Sequence, residues 1–453
     1  MTASSPRRAG VLLPIFSLAN DGAGLAAAAR DFVEWLVAAR FAVWQVLPIG
    51  PAGSDGSPYW LRSDHATHPV LARGGELCPE EFAAWRERER NWLLDYALHA
   101  ALTQALGGAP WQEWPAPLRE REPGALAAAR ARHAAGIERV MIEQYLAAQG
   151  WAELRTHANA RGVALFGDLP IYVAPDAVET WVHRRQFQLD PEGRPLALAG
   201  VPPDYFAADG QLWGNPLYDW QAMAADGYAF WRARVRRALA RFDLLRLDHF
   251  RGLVAYWRIP AGAATAREGE WRPAGGRALL RALVEEAGAA AFVAEDLGVI
   301  TPDVEALRRE FALPGMRVLQ FAFDGSPDNP YLPHRHTRDS VVYTGTHDND
   351  TTVGWYRSLD AATRARVDER LGVHAGGMPD ALVRAALASV ADLAILPVAD
   401  LLALDSAARL NVPGTTTGNW QWRLPRGALT DALAARHARA NEASGRALVG
   451  WRP

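Results

Sequence analysis

Eight short apolar runs, several of them ending in acids or amides, constrain this chain more than any other feature. They are VLLPIF from residue 11, AVWQVLPI from 42, VALFGDLPIYV from 163, FDLLRLDHF from 242, AAFVAEDLG from 290, MRVLQFAF from 316, SVVYTGTHD from 340 and LAILPVADLL from 393. Runs that are apolar on both faces read as buried parallel strands. Eight is the number that closes a parallel barrel. The intervening segments have helical spacing: Phe32, Val33, Leu36 and Val37 form one stripe, and Leu279, Leu280, Leu283 and Val284 another. Thr301, Pro302 and Asp303 read as a helix start with a capping hydroxyl. The expected fold is α/β, a parallel eight-stranded (β/α) TIM barrel with insertions between strands 2 and 3 and between strands 3 and 4. Residues 1–453 read as one catalytic barrel domain. Within it, 52–160 is a largely helical insertion, and 174–241 is an active-site loop insertion containing VPPDYFAADGQLWGNPLYDW.

The composition excludes several functions. A net charge of -3 gives no electrostatic reason for a nucleic acid or an anionic membrane as partner. No run approaches the ~20 apolar residues that span a bilayer. The chain has no lysine, which rules out Schiff-base chemistry and a P-loop. One cysteine, Cys78, allows no internal disulfide and favours a cytoplasmic setting. Arg7, Arg8 and the run after them imitate a secretory leader, but Pro14 interrupts a run only some nine residues long. Eighteen tryptophans are read mainly as packing, with a mild bias toward a sugar ligand.

Chemistry is expected where strands end. GDLP, RLDHF, AEDLG and THDND close four of the runs, and in a parallel barrel such ends share one mouth. Arg246 and Asp248 are two apart, so they point the same way, while Leu247 and His249 point to the other face. A guanidinium beside a carboxylate favours the charged form, which suits a nucleophile. Alone, Arg-x-Asp reads more readily as a buried ion pair tying strands together than as a catalytic site. Glu295 follows Phe292, Val293 and Ala294, an apolar setting that keeps a carboxyl protonated and suits a general acid. One carboxylate and one protonated carboxyl is the division of labour of retaining glycoside chemistry. Asp348 supplies a third acid. The same groups, with His347, Asn349 and Asp350, also have the composition of a divalent-metal site. His65 and His68 of DHATH read as ordinary loop histidines.

The motifs VWQVLPIGP, GDLPIYVAPDA, GVPPDYF, GQLWGNPLY, RLDHFRG, AEDLG, GMRVLQFAFDG, YTGTHDNDTTVGWY and PGTTTGNWQWRL run in order from about Val11 to Arg423. In them the chain resembles the amylomaltases, or 4-α-glucanotransferases, of the α-amylase clan. The resemblance implies that Asp248 is the nucleophile, Glu295 the acid/base and Asp348 the transition-state stabiliser. It places Tyr59, Asp168, Arg246 and His347 around the −1 sugar, with Ser57 in the same motif as Tyr59. Asp204, Tyr205, Phe206, Gln211, Trp213 and Asn215 are implied to form a glucan-contacting wall. It implies no cofactor and no metal. The implied partners are maltooligosaccharides, amylose or glycogen-type α-glucans, with glucose as an acceptor.

Four places depart from the family pattern. SLANDGAGLAAAA, around Asp21, replaces the usual proline- and glycine-rich turn after the first strand. His68 stands where asparagine is expected, Arg258 where glutamate is common and Ala399 where glutamine is usual. These bear on outer subsites and on the balance of transfer and hydrolysis. A mainly hydrolytic α-glucanase and a catalytically weak glucan-binding homologue are the alternatives.

Overall fold

A computed structural model describes residues 6–18, 25–53, 56–203, 208–373 and 377–447. All eight runs contribute a strand to one parallel sheet. In chain order the strands of the molecule are β1 (Arg8–Leu12), β2 (Val43–Gln45), β3 (Ala164–Leu169), β4 (Ala197–Val201), β5 (Gln211–Pro216), β6 (Leu244–Leu247), β7 (Ala255–Pro260), β8 (Glu270–Pro273), β9 (Phe292–Ala294), β10 (Gly315–Val318), β11 (Ser340–Tyr343) and β12 (Leu393–Pro397). The eight-stranded sheet runs β10-β11-β12-β1-β2-β3-β6-β9. Its two edges meet: the Ala294 amide donates to the Pro314 carbonyl at 2.8 Å, and Asp296 accepts the Met316 amide at 2.6 Å. The sheet is a nearly closed barrel, as expected.

Strand parity decides what the barrel contains. Val43, Phe166, Leu244, Val293, Met316, Val341 and Ile395 form one buried cluster inside it. Above them, the Tyr343 hydroxyl donates to Gln45 at 3.0 Å. Two residues beyond Phe166, Leu244 and Val293, the same alternation delivers Asp168, Arg246 and Glu295 to the C-terminal end of the barrel. A second apolar layer, including Phe32, Val33, Leu36, Leu279, Leu280 and Leu283, lies between the barrel and its helices. The 32–37 stripe falls on helix Leu25–Ala38 and the 279–284 stripe on helix Gly276–Ala287. Thr301 does precede a helix, Pro302–Glu310, but its hydroxyl turns to Asp303 rather than capping an amide.

Between β2 and β3 the chain forms helices Pro79–Arg88, Arg90–Ala105, Ala116–Arg119, Pro123–Arg132 and Ala134–Ala160. They bury their own cluster, which takes Trp85, Trp111, Trp114 and, from the following segment, Trp181. The long helix bridges both cores, since Trp151, Leu154 and Ala158 belong to the barrel layer. Gly150 permits its close approach, because a Cβ there would lie 2.1 Å from the Leu71 carbonyl oxygen.

Segment 174–241 is more ordered than a loop. It holds β4 and β5, which join β7 and β8 in an antiparallel sheet of order β5-β4-β7-β8. Nothing in the strand count anticipated this second sheet. Only β4 is mostly buried, β5 and β7 are largely half-buried and β8 is exposed, so the sheet as a whole lacks the doubly apolar signature of the barrel strands. Arg258 on β7 faces Glu270 on β8 at 3.6 Å, so the arginine here has an acidic partner across the ladder.

Packing within the barrel is tight at Gly10, where a Cβ would meet the Val43 carbonyl oxygen and Ile395 Cδ1, both at 2.6 Å. Gly10→Ala is expected to lower stability by roughly 1–3 kcal/mol, measured as a fall in the denaturation midpoint. An unchanged midpoint contradicts this account of the packing around β1.

Candidate active site

At the barrel mouth one buried cation gathers three carboxyl groups. Arg246 Nη1 donates to both oxygens of Asp168 at 2.9 Å and to Asp248 Oδ1 at 2.8 Å. Its Nη2 lies 3.9 Å from Glu295 Oε2. The guanidinium is 5 % exposed, so desolvation is met by direct ion pairs. Those acids raise the Arg246 pKa well above its ordinary value against the effect of burial. Burial pushes the Asp168 carboxyl up, and Asp248 adds to this while Arg246 opposes it.

The three proposed catalytic acids differ in solvation. Their side chains are 11 % exposed for Glu295, 22 % for Asp248 and 44 % for Asp348. Burial pushes the Glu295 carboxyl up to about 8, with Asp248 adding repulsion and Arg246 opposing it. Two main-chain amides hold it: His249 N–H donates to Oε2 at 2.6 Å and Leu297 N–H to Oε1 at 3.1 Å. Asp348 is fixed differently. Asn411 Nδ2 donates to its Oδ1 at 2.6 Å, and Arg409 donates to its carbonyl at 2.9 Å.

Tyr59 links these groups. Its hydroxyl donates to Asp168 Oδ2 at 2.6 Å and lies 2.9 Å from His347 Nε2. Since the hydroxyl has one proton, given to Asp168, His347 must donate from Nε2. Ser57 Oγ accepts the Tyr59 amide at 3.2 Å, shaping the turn that presents the ring. That turn is anchored by a buried network. Arg234 reaches Asp64 at 2.5 Å and the Pro170 carbonyl after β3 at 2.6 Å, and Glu179 accepts Ser63 Oγ at 2.6 Å. His65 joins Glu179 at 3.3 Å, and His68 Nδ1 accepts the Val70 amide, so both histidines of DHATH have local partners.

The remaining expected residues divide. Trp213 Nε1 donates to Gln211 at 3.1 Å, and the Trp213 ring meets the His249 ring edge-on at 4.8 Å. Asn215 is buried and donates to the Val173 carbonyl at 3.0 Å, bracing the base of the wall. Asp204, Tyr205 and Phe206, like Asp21, lie outside the described residues. Alternation predicts His249 on a face away from the site, but β6 ends at Leu247 and His249 adopts φ 45°, a left-handed conformation. Its amide therefore turns to Glu295 while its buried ring, pushed down to about 4 by desolvation, stays neutral.

Not every acid of these motifs belongs to the mouth. Asp296 pairs with Arg317 at 3.2 Å and with Arg308 at 3.4 Å at the barrel seam. Asn349 accepts the Thr346 amide, and Asp350 accepts Ser406 Oγ, so both turn from Asp348. Among the described residues no group of three or more His, Cys, Asp or Glu side chains is arranged to hold a metal ion. Residues missed from sequence are Asn411, Trp420 and Asp400. Trp420 packs 6.1 Å from Tyr59 and 6.0 Å from His347. Asp400 accepts Thr344 Oγ1 at 2.6 Å, Thr352 N at 2.8 Å and Thr352 Oγ1 at 2.7 Å, tying both ends of the Asp348 loop to the short helix Val398–Leu401 that follows β12. The motif PGTTTGNWQWRL contained the signal for Trp420. Asp400 stood inside the eighth run, LAILPVADLL, whose acid was not counted among the strand ends, and Asn411 had only proximity to a motif.

The Glu295 environment has a measurable cost. The folded chain keeps a proton that a free glutamate releases near 4.5, so stability from this group is fully present below that value and is lost as pH rises toward about 8. Glu295→Gln is expected to raise the melting temperature at pH 8 relative to the unsubstituted chain, with the difference shrinking at pH 4. An equal difference at both pH values argues against a raised carboxyl.

Residues 13–80 and 75–430 match the 4-alpha-glucanotransferase family. The chain is 45 % identical to the 4-alpha-glucanotransferase of Thermus thermophilus, over 95 % of this chain and 97 % of that one. It is 41 % identical to that of Synechocystis sp., over 97 % and 98 %. Its fold matches the amylomaltase from Streptococcus agalactiae in complex with acarbose with a TM-score of 0.92, at 30 % identity over 97 % of this chain and 100 % of that chain. The chain belongs to the 4-alpha-glucanotransferase family of α-glucan-transferring enzymes.

Proposed function

We propose that Asp248, Glu295 and Asp348 carry out a retaining transfer of glucosyl or maltooligosaccharyl units between α-1,4-glucans. The observation that carries this reading is the contrast at one mouth between an ion-paired Asp248 and a Glu295 whose carboxyl is pushed up to about 8. Asp248 attacks the anomeric carbon while Glu295 gives its proton to the leaving glycosidic oxygen, and the C1–O bond breaks. The 4-hydroxyl of an acceptor then loses its proton to Glu295 as its oxygen displaces Asp248. Two displacements retain the α configuration.

Asp348, held by Asn411, faces the charge that develops on the ring. Tyr59, Asp168, Arg246 and His347 bind the −1 sugar, with Ser57 shaping their loop. Gln211 and Trp213, braced by Asn215, form a wall against the glucan, and Asp204, Tyr205 and Phe206 bind glucan as well. Excluding water from this wall favours a sugar acceptor over hydrolysis. The scheme needs no cofactor. The barrel, the 52–160 insertion and the 174–241 segment act together as one catalytic unit. Maltooligosaccharides, amylose and glycogen-type glucans are the donors, glucose is an acceptor, and the setting is cytoplasmic.

Incubation with maltotriose alone is expected to yield glucose and a ladder of longer oligomers by chromatography. Asp248→Asn is expected to lower the rate roughly a thousandfold or more. Glucose and maltose without longer products indicate a hydrolase, and an active Asn variant overturns the assignment of the nucleophile. Because the acid must be protonated in the first displacement, kcat/KM is expected to fall as pH rises through about 8. A profile flat to pH 10 contradicts the role of Glu295.

A further inference from the structure

The DHATH stretch, residues 64–68, begins with an acid that is buried five residues beyond Tyr59. Asp64 Oδ2 accepts Arg234 Nε at 2.5 Å, and the two side chains are 5 % and 0 % exposed. Arg234 lies on the helix Ala229–Leu239 and directs its other nitrogens to the end of β3. Nη2 donates to the Pro170 carbonyl at 2.6 Å, and Nη1 to the Tyr218 hydroxyl at 3.0 Å and the Ile171 carbonyl at 3.4 Å. Pro170 follows Asp168 by two residues. One guanidinium therefore joins the segment after Tyr59 to the segment after Asp168, and these are the residues whose side chains meet at 2.6 Å in the mouth.

The backbone beside Asp64 is held by the same helix. Arg234, Arg237 and Arg241 are spaced i, i+3 and i+7, which puts them on one helical face, with Arg241 two residues past the end. Arg237 Nε donates to the His65 carbonyl at 2.9 Å, and Arg241 Nη1 to the Asp64 carbonyl at 3.1 Å. Glu179 holds the same two residues, accepting the Asp64 amide at 3.0 Å and meeting His65 Nδ1 at 3.3 Å. Between Asp64 and Tyr59 the chain has little freedom. The Arg62 amide donates to the Pro51 carbonyl at 2.9 Å, and the Gly53 amide to the Trp60 carbonyl at 2.6 Å. A shift at Asp64 is carried along this ladder to the Tyr59 ring.

Stability alone does not account for the pair. Two buried charges are often no more stabilising than apolar side chains of the same volume, so what Asp64 adds is direction. Direction matters here because a misplacement of ~1 Å in a reacting geometry can cost about a hundredfold in rate.

We propose that Asp64 is a positioning residue for the transfer reaction, acting through Arg234 to fix the Tyr59–Asp168 contact and with it the −1 sugar. This rests on the glucan-transfer reading above. Because the contact concerns the −1 sugar, turnover depends on it more than the binding of a long donor does.

The test compares two variants with the unsubstituted chain on maltohexaose: Asp64→Asn, and Asp64→Asn combined with Arg234→Gln. The second leaves no charge buried alone, and its glutamine is too short to reach the β3 carbonyls. In both variants kcat is expected to fall about tenfold or more with KM changed less than about twofold, the pattern of an interaction made in the transition state. The melting temperature is expected to fall in the single variant and to recover in the double one, while kcat stays low. In a Tyr59→Phe background the double change is expected to alter kcat less than about twofold, since the hydroxyl it positions is gone. A double variant with kcat within twofold of the unsubstituted chain overturns the proposal. An undiminished effect in the Tyr59→Phe background also overturns it, because it marks a purely structural role. If the single variant does not fold, the double variant decides. If the unsubstituted chain releases glucose and maltose without longer oligomers, the transfer reading fails by itself, and the same kcat comparison on hydrolysis decides Asp64. If it makes no products, crystal structures decide: the Tyr59 hydroxyl is expected to leave Asp168 in the double variant, and an intact contact at 2.6 Å overturns the proposal.

Discussion

The buried guanidinium of Arg246 is the interaction on which the site depends. It sits at the end of β6, where parity delivers it into the mouth, and it touches Asp168 from β3 and Asp248 just past the end of its own strand. Glu295 from β9 stands slightly farther away, at 3.9 Å. That difference separates the carboxyls chemically. Asp248 makes a direct ion pair, whereas burial governs Glu295 and keeps its proton. Removing the cation would leave acids close together without a countercharge, a far larger penalty than the loss of an exposed pair.

Geometry at the mouth is inherited from the barrel and then corrected by braces. Alternation along β3 and β6 brings Asp168 and Arg246 to the axis without any special local structure, and Glu295, one residue past β9, continues the same alternation but is held by two main-chain amides. Groups that arrive after a strand has ended need other support. Asp400 ties both ends of the THDND loop to the helix that follows β12, and Asn411 orients Asp348 from sixty-three residues away. The Tyr59 turn is likewise held by Asp64, Arg234 and Glu179, which tether the helical insertion to the end of β3. Apart from the partly exposed Asn411–Asp348 bond, these contacts are largely buried and directional, so they constrain the reacting groups more than exposed ion pairs could.

Acids of one motif serve opposite purposes. In AEDLG, Glu295 faces the mouth while Asp296 closes the β9–β10 seam through the Met316 amide and two arginines. In THDND, Asp348 faces the mouth while Asp350 holds Ser406. A list of strand-end carboxylates therefore overstates the cluster, and a metal reading drawn from such a list counts ligands that point elsewhere.

The barrel was legible in the chain because eight doubly apolar runs can be buried only in a sheet covered on both faces, and their polar ends marked one mouth. The local order of residues likewise determined that Asp168, Arg246 and Glu295 share the inner face, since side-chain direction in a strand has period two. It could not determine the antiparallel sheet bearing Trp213, whose half-exposed strands carry no strong period. Nor could it show the left-handed turn at His249, which ends the alternation and offers an amide to Glu295. The partners of Asp348 and the braces at Asp400 and Arg234 were decided by tertiary structure alone. Each joins segments far apart in the chain, and a contact made by closing the barrel has no signature in the order of nearby residues.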